Sequence, residues 1–169
     1  MSEFSRIVDI RHLPTSAQQL SATSPECEAL ARRFNLVAVD RLEAELILRP
    51  DGRSVRAEGR FSAEIIQSCA VSGEDLPVRI AEPIVLRFVP EGADPAPDDE
   101  VELTSDQCDE IEMTGSQIDL GEAVAQSLAL AIDPYATGPG ASEARQRAGL
   151  LGEGENGPFA ALAALKKTK

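Results

Sequence analysis

The chain is 169 residues long, 43% hydrophobic but only 4% aromatic, with no Trp, one Tyr and a formal net charge of −13. That is apolar material for one core of ordinary size, built mostly from Leu, Val, Ile and Ala, and it excludes a chain disordered throughout. The shortage of aromatics leaves few platforms for stacked bases, and the acidity opposes a charge-driven grip on a nucleic-acid backbone.

The N-terminal stretch MSEFSRIVDIRHLP lacks the apolar run of a signal peptide, and nothing downstream approaches the roughly 20 residues of a membrane span. Cys27, Cys69 and Cys108 are odd in number and far apart, which suits a reducing compartment better than a disulfide framework. A soluble cytoplasmic protein is expected.

In chain order, Phe4 to Leu13 reads as a strand closed by Pro14. Ser24 is placed to cap a helix, with Pro25 at its first helical position, Leu30 and Phe34 on its apolar face, and an end near Asn35. Four strand-like runs follow: LVAVDRLEAELILRP, RSVRAEGRFSAEIIQSCAV, LPVRIAEPIVLRFVP and CDEIEMTG. Alternation is clear in Leu42, Ala44, Leu46 and Leu48, and again in Ile84, Leu86 and Phe88. Asp51-Gly52 signals a hairpin. Short connections argue for an antiparallel sheet able to curl towards a barrel.

An acidic loop over about 91–107 interrupts these runs. From Glu91 to Glu112 there are ten acids and no Lys or Arg, so the rest of the chain carries only −3. IDLGEAVAQSLALAI then switches to helical spacing. Asp119 is its expected cap, Glu122 completes a capping box, and Leu120, Val124, Leu128 and Ile132 form a stripe that covers the sheet. Asp133-Pro134 stops the helix. Residues 136–157, rich in Gly, Ser, Ala and charge, read as a flexible linker. Residues 158–169 read as a short amphipathic helix, with Phe159, Leu162 and Leu165 on one side and Lys166 and Lys167 at its end. Too short to persist alone, that helix needs a surface, either on its own sheet or on a partner. The expected fold class is α+β: one domain over 1–135, a mostly antiparallel sheet covered by one or two helices, and a tail.

Chemistry is sparse. No C-x-x-C accompanies Cys69, and the one histidine, His12, lies on a different element, so zinc ligation lacks its paired ligands. Ser72-Gly73-Glu74-Asp75 instead reads as a turn between two strands, with Cys69 as a small buried hydrophobe. GEGENG at 152–157 matches a dinucleotide-binding spacing, but too few residues follow for the required unit, and it reads as linker. Starting a calcium loop at Asp98 puts Leu103 where glycine is needed. No catalytic, metal or cofactor residue is expected.

The cysteine-ended strand, the turn, LPVRIAEPIVLRFVP, the acidic interruption, IDLGEAVAQSLALAIDPY and the terminal PFAALAALK together resemble the bacterial YceD family, in its alphaproteobacterial branch, over roughly residues 60 to 169. The resemblance implies a role in making, processing or stabilising large-subunit ribosomal RNA. Many members carry C-x-x-C at the position of Cys69 and further cysteines in the tail, as if for zinc; here Ser72 takes the second position and no cysteine follows Cys108.

The expectation is a non-enzymatic factor that acts through a ribosomal or ribosome-assembly protein and touches the RNA indirectly, with no membrane or DNA partner. Phe159, Leu162 and Leu165, with Asp98, Asp99 and Glu100, are the expected partner contacts. The alternatives are a small-substrate enzyme using a thiol or carboxylates, and a direct RNA-binding module using Arg32, Arg33, Arg53, Arg56 and Arg60.

Overall fold

The computed structural model describes residues 2–91 and 109–149. In chain order it contains β1 (Ile7–Asp9), a 3-10 turn (Ile10–His12), β2 (Gln18–Ser21), α1 (Ser24–Arg33), β3 (Ala38–Asp51), β4 (Ser54–Ser68), β5 (Asp75–Pro90), β6 (Asp109–Met113), β7 (Gln117–Asp119), α2 (Leu120–Ala131) and α3 (Ala141–Arg147). Of these residues, 2–66 with 77–91 and 109–132 form one compact unit, and 67–76 with 133–149 form a second.

The first unit holds a five-stranded sheet in the order β2-β3-β4-β5-β6 and a small β1-β7 pair. The chain is α+β, and the sheet is mostly antiparallel, as expected, but it stays open and does not close into a barrel. One pairing departs from the expected pattern: β6 runs parallel to β5, Leu86 facing Asp109 and Pro90 facing Met113. A parallel neighbour needs a long return connection, and residues 91–108 supply its length.

The long strands form where alternation is strongest. Leu42, Ala44, Leu46 and Leu48 of β3 are buried with Phe61, Ala63 and Ile65 of β4 and Ile84, Leu86 and Phe88 of β5. Gly52, at φ 62°, makes the tight β3–β4 turn. Leu30 of α1 and Leu120, Val124 and Leu128 of α2 join this core, so both helices lie on one face of the sheet and the other stays open.

The sequence misplaced several boundaries. The expected first strand is only three residues long, because Ile10–His12 tightens into the 3-10 turn. Thr23, not Ser24, caps α1: its backbone N–H donates to the Glu26 carboxylate at 2.7 Å and its hydroxyl at 2.9 Å. Asp119 does cap α2, accepting from the amides of Gly121 and Glu122. Glu122, however, completes no capping box. Its carboxylate turns to the Arg33 guanidinium at 2.7 Å and to the Ser2 hydroxyl at 2.7 Å.

These contacts tie the N-terminal segment to both helices. Asp119 also accepts from the Arg6 amide at 2.8 Å, Arg6 pairs with Glu26 at 2.7 Å, and Phe4 is fully buried beneath the Arg6 guanidinium. A methyl group at Gly121 would lie 2.6 Å from the Phe4 carbonyl oxygen, so this approach admits only glycine. The Arg6 side-chain hydrogen bond holds the Glu26 carboxyl at about 2, and Arg33 does the same for Glu122.

In the second unit the Gln67 side-chain amide donates to the Asp133 carbonyl at 2.9 Å, and the Ala70 amide donates to that of Ala136. Ala141–Arg147 is helical, where composition alone points to linker.

Candidate functional site

Two places hold organised chemistry, one in each unit. The first is the open face of the sheet. Strand register lines up Gln19, Glu45 and Arg60 in one cross-strand row and Ser21, Glu43 and Ser62 in the next. The intervening row, Leu20, Ala44 and Phe61, points the other way and is buried. With Ala81 and Pro83 of β5, the outward rows line an open trough of about 750 Å³.

Gly59 allows the surface to bend. A side chain there would run into the Glu45 carbonyl oxygen and stand 3.1 Å from the Leu46 Cα, so β3 and β4 approach more closely at this pair than any other residue permits.

Its charges differ from those around it. Elsewhere on the sheet Arg56 pairs with Glu58, Arg79 with Glu64 at 3.4 Å, and Arg87 with Glu110 at 3.2 Å. In the trough Glu43 shares Arg41 at 2.6 Å, and Glu45 accepts from the neutral Gln19 amide at 2.7 Å. Among the described residues no Lys or Arg pairs with Glu45, although Arg60 stands opposite it in the register. The surface offers carboxylates beside short apolar and hydroxyl side chains.

The second place is the turn after β4. The Cys69 thiol is 3% exposed, and its sulfur accepts from the Ser72 amide at 3.3 Å and the Gly138 amide at 3.4 Å. Gly73, at φ 73°, allows the turn, and the Glu74 carboxylate accepts from the Gly140 amide at 2.9 Å. Glu74 and Leu76 occupy the space a side chain at Gly138 would need. The Ser72 hydroxyl first, then the amides of Gly138 and Ser72, bring the Cys69 thiol down to about 6 by stabilising its anion, while burial opposes them. Burial pushes the Cys27 thiol the other way. Cys69 is thus more than the small hydrophobe the sequence suggests.

This arrangement holds a thiolate but does not fit zinc. Among the described residues no three His, Cys, Asp or Glu side chains gather to hold a metal ion. Ser72 presents a hydroxyl and an amide where a second thiolate would have to stand.

The thiolate makes a measurable prediction. The difference in ultraviolet thiolate absorbance between the parent and Cys69→Ser will titrate with a midpoint near 6, and Ser72→Ala will move it upward. Because the folded value lies below that of a free thiol, the anion stabilises the fold fully above the unfolded thiol pKa. That contribution is lost as pH falls through the folded value. A midpoint at or above the free-thiol value, about 8.5, would refute the assignment.

The expected contacts Asp98, Asp99, Glu100, Phe159, Leu162 and Leu165 lie outside the described residues. The five arginines of the RNA-binding alternative fall into two groups, Arg32 and Arg33 at the end of α1 and Arg53, Arg56 and Arg60 along the β3–β4 turn and β4. Arg33, the last residue of α1, is engaged by Glu3 and Glu122. Arg53 sits in the turn at the opposite end of the 14-residue β3, a separation on the order of 40 Å along the strand. Sequence reading missed the trough, although a glycine inside a strand pattern, at Gly59, was available as a sign of a bend. Among the described residues no helix is long and apolar enough to cross a membrane.

No curated protein and no solved structure matches the chain. A family model described as "Large ribosomal RNA subunit accumulation protein YceD" matches residues 57–166, roughly two thirds of the sequence, from within β4 through α3 and beyond. The chain belongs to the YceD family.

Proposed function

We propose that the protein is a non-enzymatic factor that sustains large-subunit ribosomal RNA by binding a basic protein of the large subunit or of its assembly. The family match over residues 57–166 carries this reading. The charge distribution supports a protein as the immediate contact, because ten acids without a base between Glu91 and Glu112 repel phosphate and attract Lys and Arg. The ion pairing of Arg33 and Arg56 supports the same choice, since cations already engaged by carboxylates are poorly placed to replace the counterions of RNA.

The test joins a cellular and a biochemical measurement. In cells lacking the protein, large-subunit ribosomal RNA falls relative to small-subunit ribosomal RNA, and reintroducing the chain restores the ratio. Affinity capture returns a basic protein partner before and after ribonuclease treatment. An unchanged ratio refutes the role, and capture that ribonuclease abolishes refutes the protein-mediated contact.

A further inference from the structure

We infer that the turn after β4 is a pH-dependent latch: the Cys69 sulfur as an anion, together with the Glu74 carboxylate, holds residues 136–141, and protonation of the sulfur releases them. The inference goes beyond the ribosomal RNA reading and does not depend on it. Its first support is where the hydrogen bonds run. The Cys69 sulfur accepts from the Gly138 amide at 3.4 Å, and the Glu74 carboxylate accepts from the Gly140 amide at 2.9 Å. The Ala70 amide donates to the Ala136 carbonyl at 2.9 Å, so one turn grips three alternate residues of one segment. The Cys69 amide also donates to the Glu74 carbonyl at 2.7 Å, which fixes the two anionic side chains on one frame.

The glycines are the second support. Composition assigns TGPGAS, residues 137–142, to a linker. In the structure a β-carbon at Gly138 would run into the Glu74 carboxylate and the Leu76 side chain, and one at Gly140 would lie 2.8 Å from a Glu74 carboxylate oxygen. Side chains at these two positions would hold the segment off the turn, and their absence lets both amides reach the anions. The third support is what surrounds the sulfur. Its donors are the Ser72 amide and hydroxyl and the Gly138 amide, none of which titrates near neutral pH. Among the described residues no Lys, Arg or His contacts it. Of the other charged groups in this unit, Asp133 accepts from the Tyr135 amide at 2.8 Å, Glu143 pairs with Arg147 at 3.4 Å, and Asp75, Tyr135 and Arg145 are exposed. The response to pH therefore belongs to the sulfur. An anion accepts these hydrogen bonds strongly and a neutral thiol weakly, so the latch is closed at neutral pH and opens as pH falls through about 6.

Hydrogen exchange of the Gly138 and Gly140 amides, followed by NMR on the full chain and expressed as protection relative to an unstructured chain, tests the latch. In the parent, protection of both amides is expected to fall about ten-fold between neutral pH and about pH 5. Cys69→Ser, which keeps the shape and removes the anion, is expected to show the lower protection at both pH values. Glu74→Gln is expected to lower protection at Gly138 as well as at Gly140, because one segment is held at two points. Ser72→Ala retains the thiol, is expected to raise the pH at which protection is lost, and serves should Cys69→Ser fold poorly. Parent protection that is independent of pH, or a Cys69→Ser protein that matches the parent at each pH, overturns the latch. Loss confined to Gly138 in Cys69→Ser overturns it as well, since the two bonds would then act separately. Loss of protection on adding EDTA would assign the fastening to a metal ion and overturn it too. None of these outcomes bears on the ribosomal RNA reading, which is judged in cells lacking the protein.

Discussion

Replacing Gly59 by alanine will destabilise the protein by about 3 kcal/mol or more, at the upper end of single substitutions. The added methyl would overlap the Glu45 carbonyl oxygen and lie 2.9 Å from its carbon. These are backbone atoms of the paired strand, so no rotamer change can make room. The β3–β4 ladder has to open at the Leu46–Gly59 pair, next to Leu46 and Phe61, both buried. For a chain of this length the loss corresponds to a fall in melting temperature on the order of 10 °C. Thermal unfolding followed by circular dichroism reads it directly. Ser62→Ala, three residues on and facing solvent, is the control and will melt with the parent. A Gly59→Ala protein that also melts with the parent would mean that the close approach of β3 and β4 does not exist. Any folded remainder of the variant will have a flatter sheet and a shallower trough.

The fold was legible in sequence to a greater extent than the trough, because the trough depends on such approaches between strands. Burial of one face of β3, β4 and β5 imposes a period of two on Leu42 to Leu48 and Ile84 to Phe88, and burial of one helical stripe imposes the spacing of Leu120, Val124 and Leu128. Such patterns are local and can be read off the chain. By contrast, β2 holds one buried residue, Leu20, among polar ones. It is a strand because β3 offers Glu43 to Leu46 as an edge to pair with, a tertiary cause with no local signature. The parallel setting of β6 is likewise decided by where the chain returns after residue 108, not by the composition of Asp109–Met113.

The same distinction applies to single residues. Asp119 was legible as a cap because capping is local, and it caps α2. Glu122 has the spacing of a capping box, but its carboxylate finds Arg33 at 2.7 Å, a charged donor 89 positions earlier in the sequence. An ionised pair outcompetes a neutral amide, and the local rule yields. Cys69 follows the same course. Its turn is local, but the Gly138 amide that helps hold its thiolate arrives from 69 residues downstream. The trough carboxylates were hidden for another reason. Their meaning lay in register, which sets Glu45 beside Arg60 and Glu43 beside Ser62.

A chain cut back to residues 57–169, which keeps the whole family-matched segment, will not fold. The matched segment begins inside β4 and leaves out β1, β2, α1 and β3. Without β3, what remains of β4 loses its partner from the Ala38–Ile66 pair to the Leu48–Ala57 pair, and the ladder groups along that edge face water. The core loses Phe4, Leu20, Leu30, Leu42 and Leu46, all buried in the intact chain. Each such side chain contributes about 1.5–3 kcal/mol on burial, and together they are comparable to the roughly 5–15 kcal/mol by which a typical domain is stable. The N-terminus of α2 also loses the Arg6 amide on Asp119 and the Arg33 guanidinium on Glu122. The fragment is expected to show a collapsed amide proton spectrum and no cooperative melt, whereas the full chain shows both dispersion and a single transition. A dispersed, cooperatively melting fragment would mean that the first 56 residues are an accessory to a self-sufficient family domain. If the fragment is unfolded, those residues complete the sheet. They also carry Gln19, Glu43 and Glu45, so part of the trough lies outside the segment by which the family is recognised.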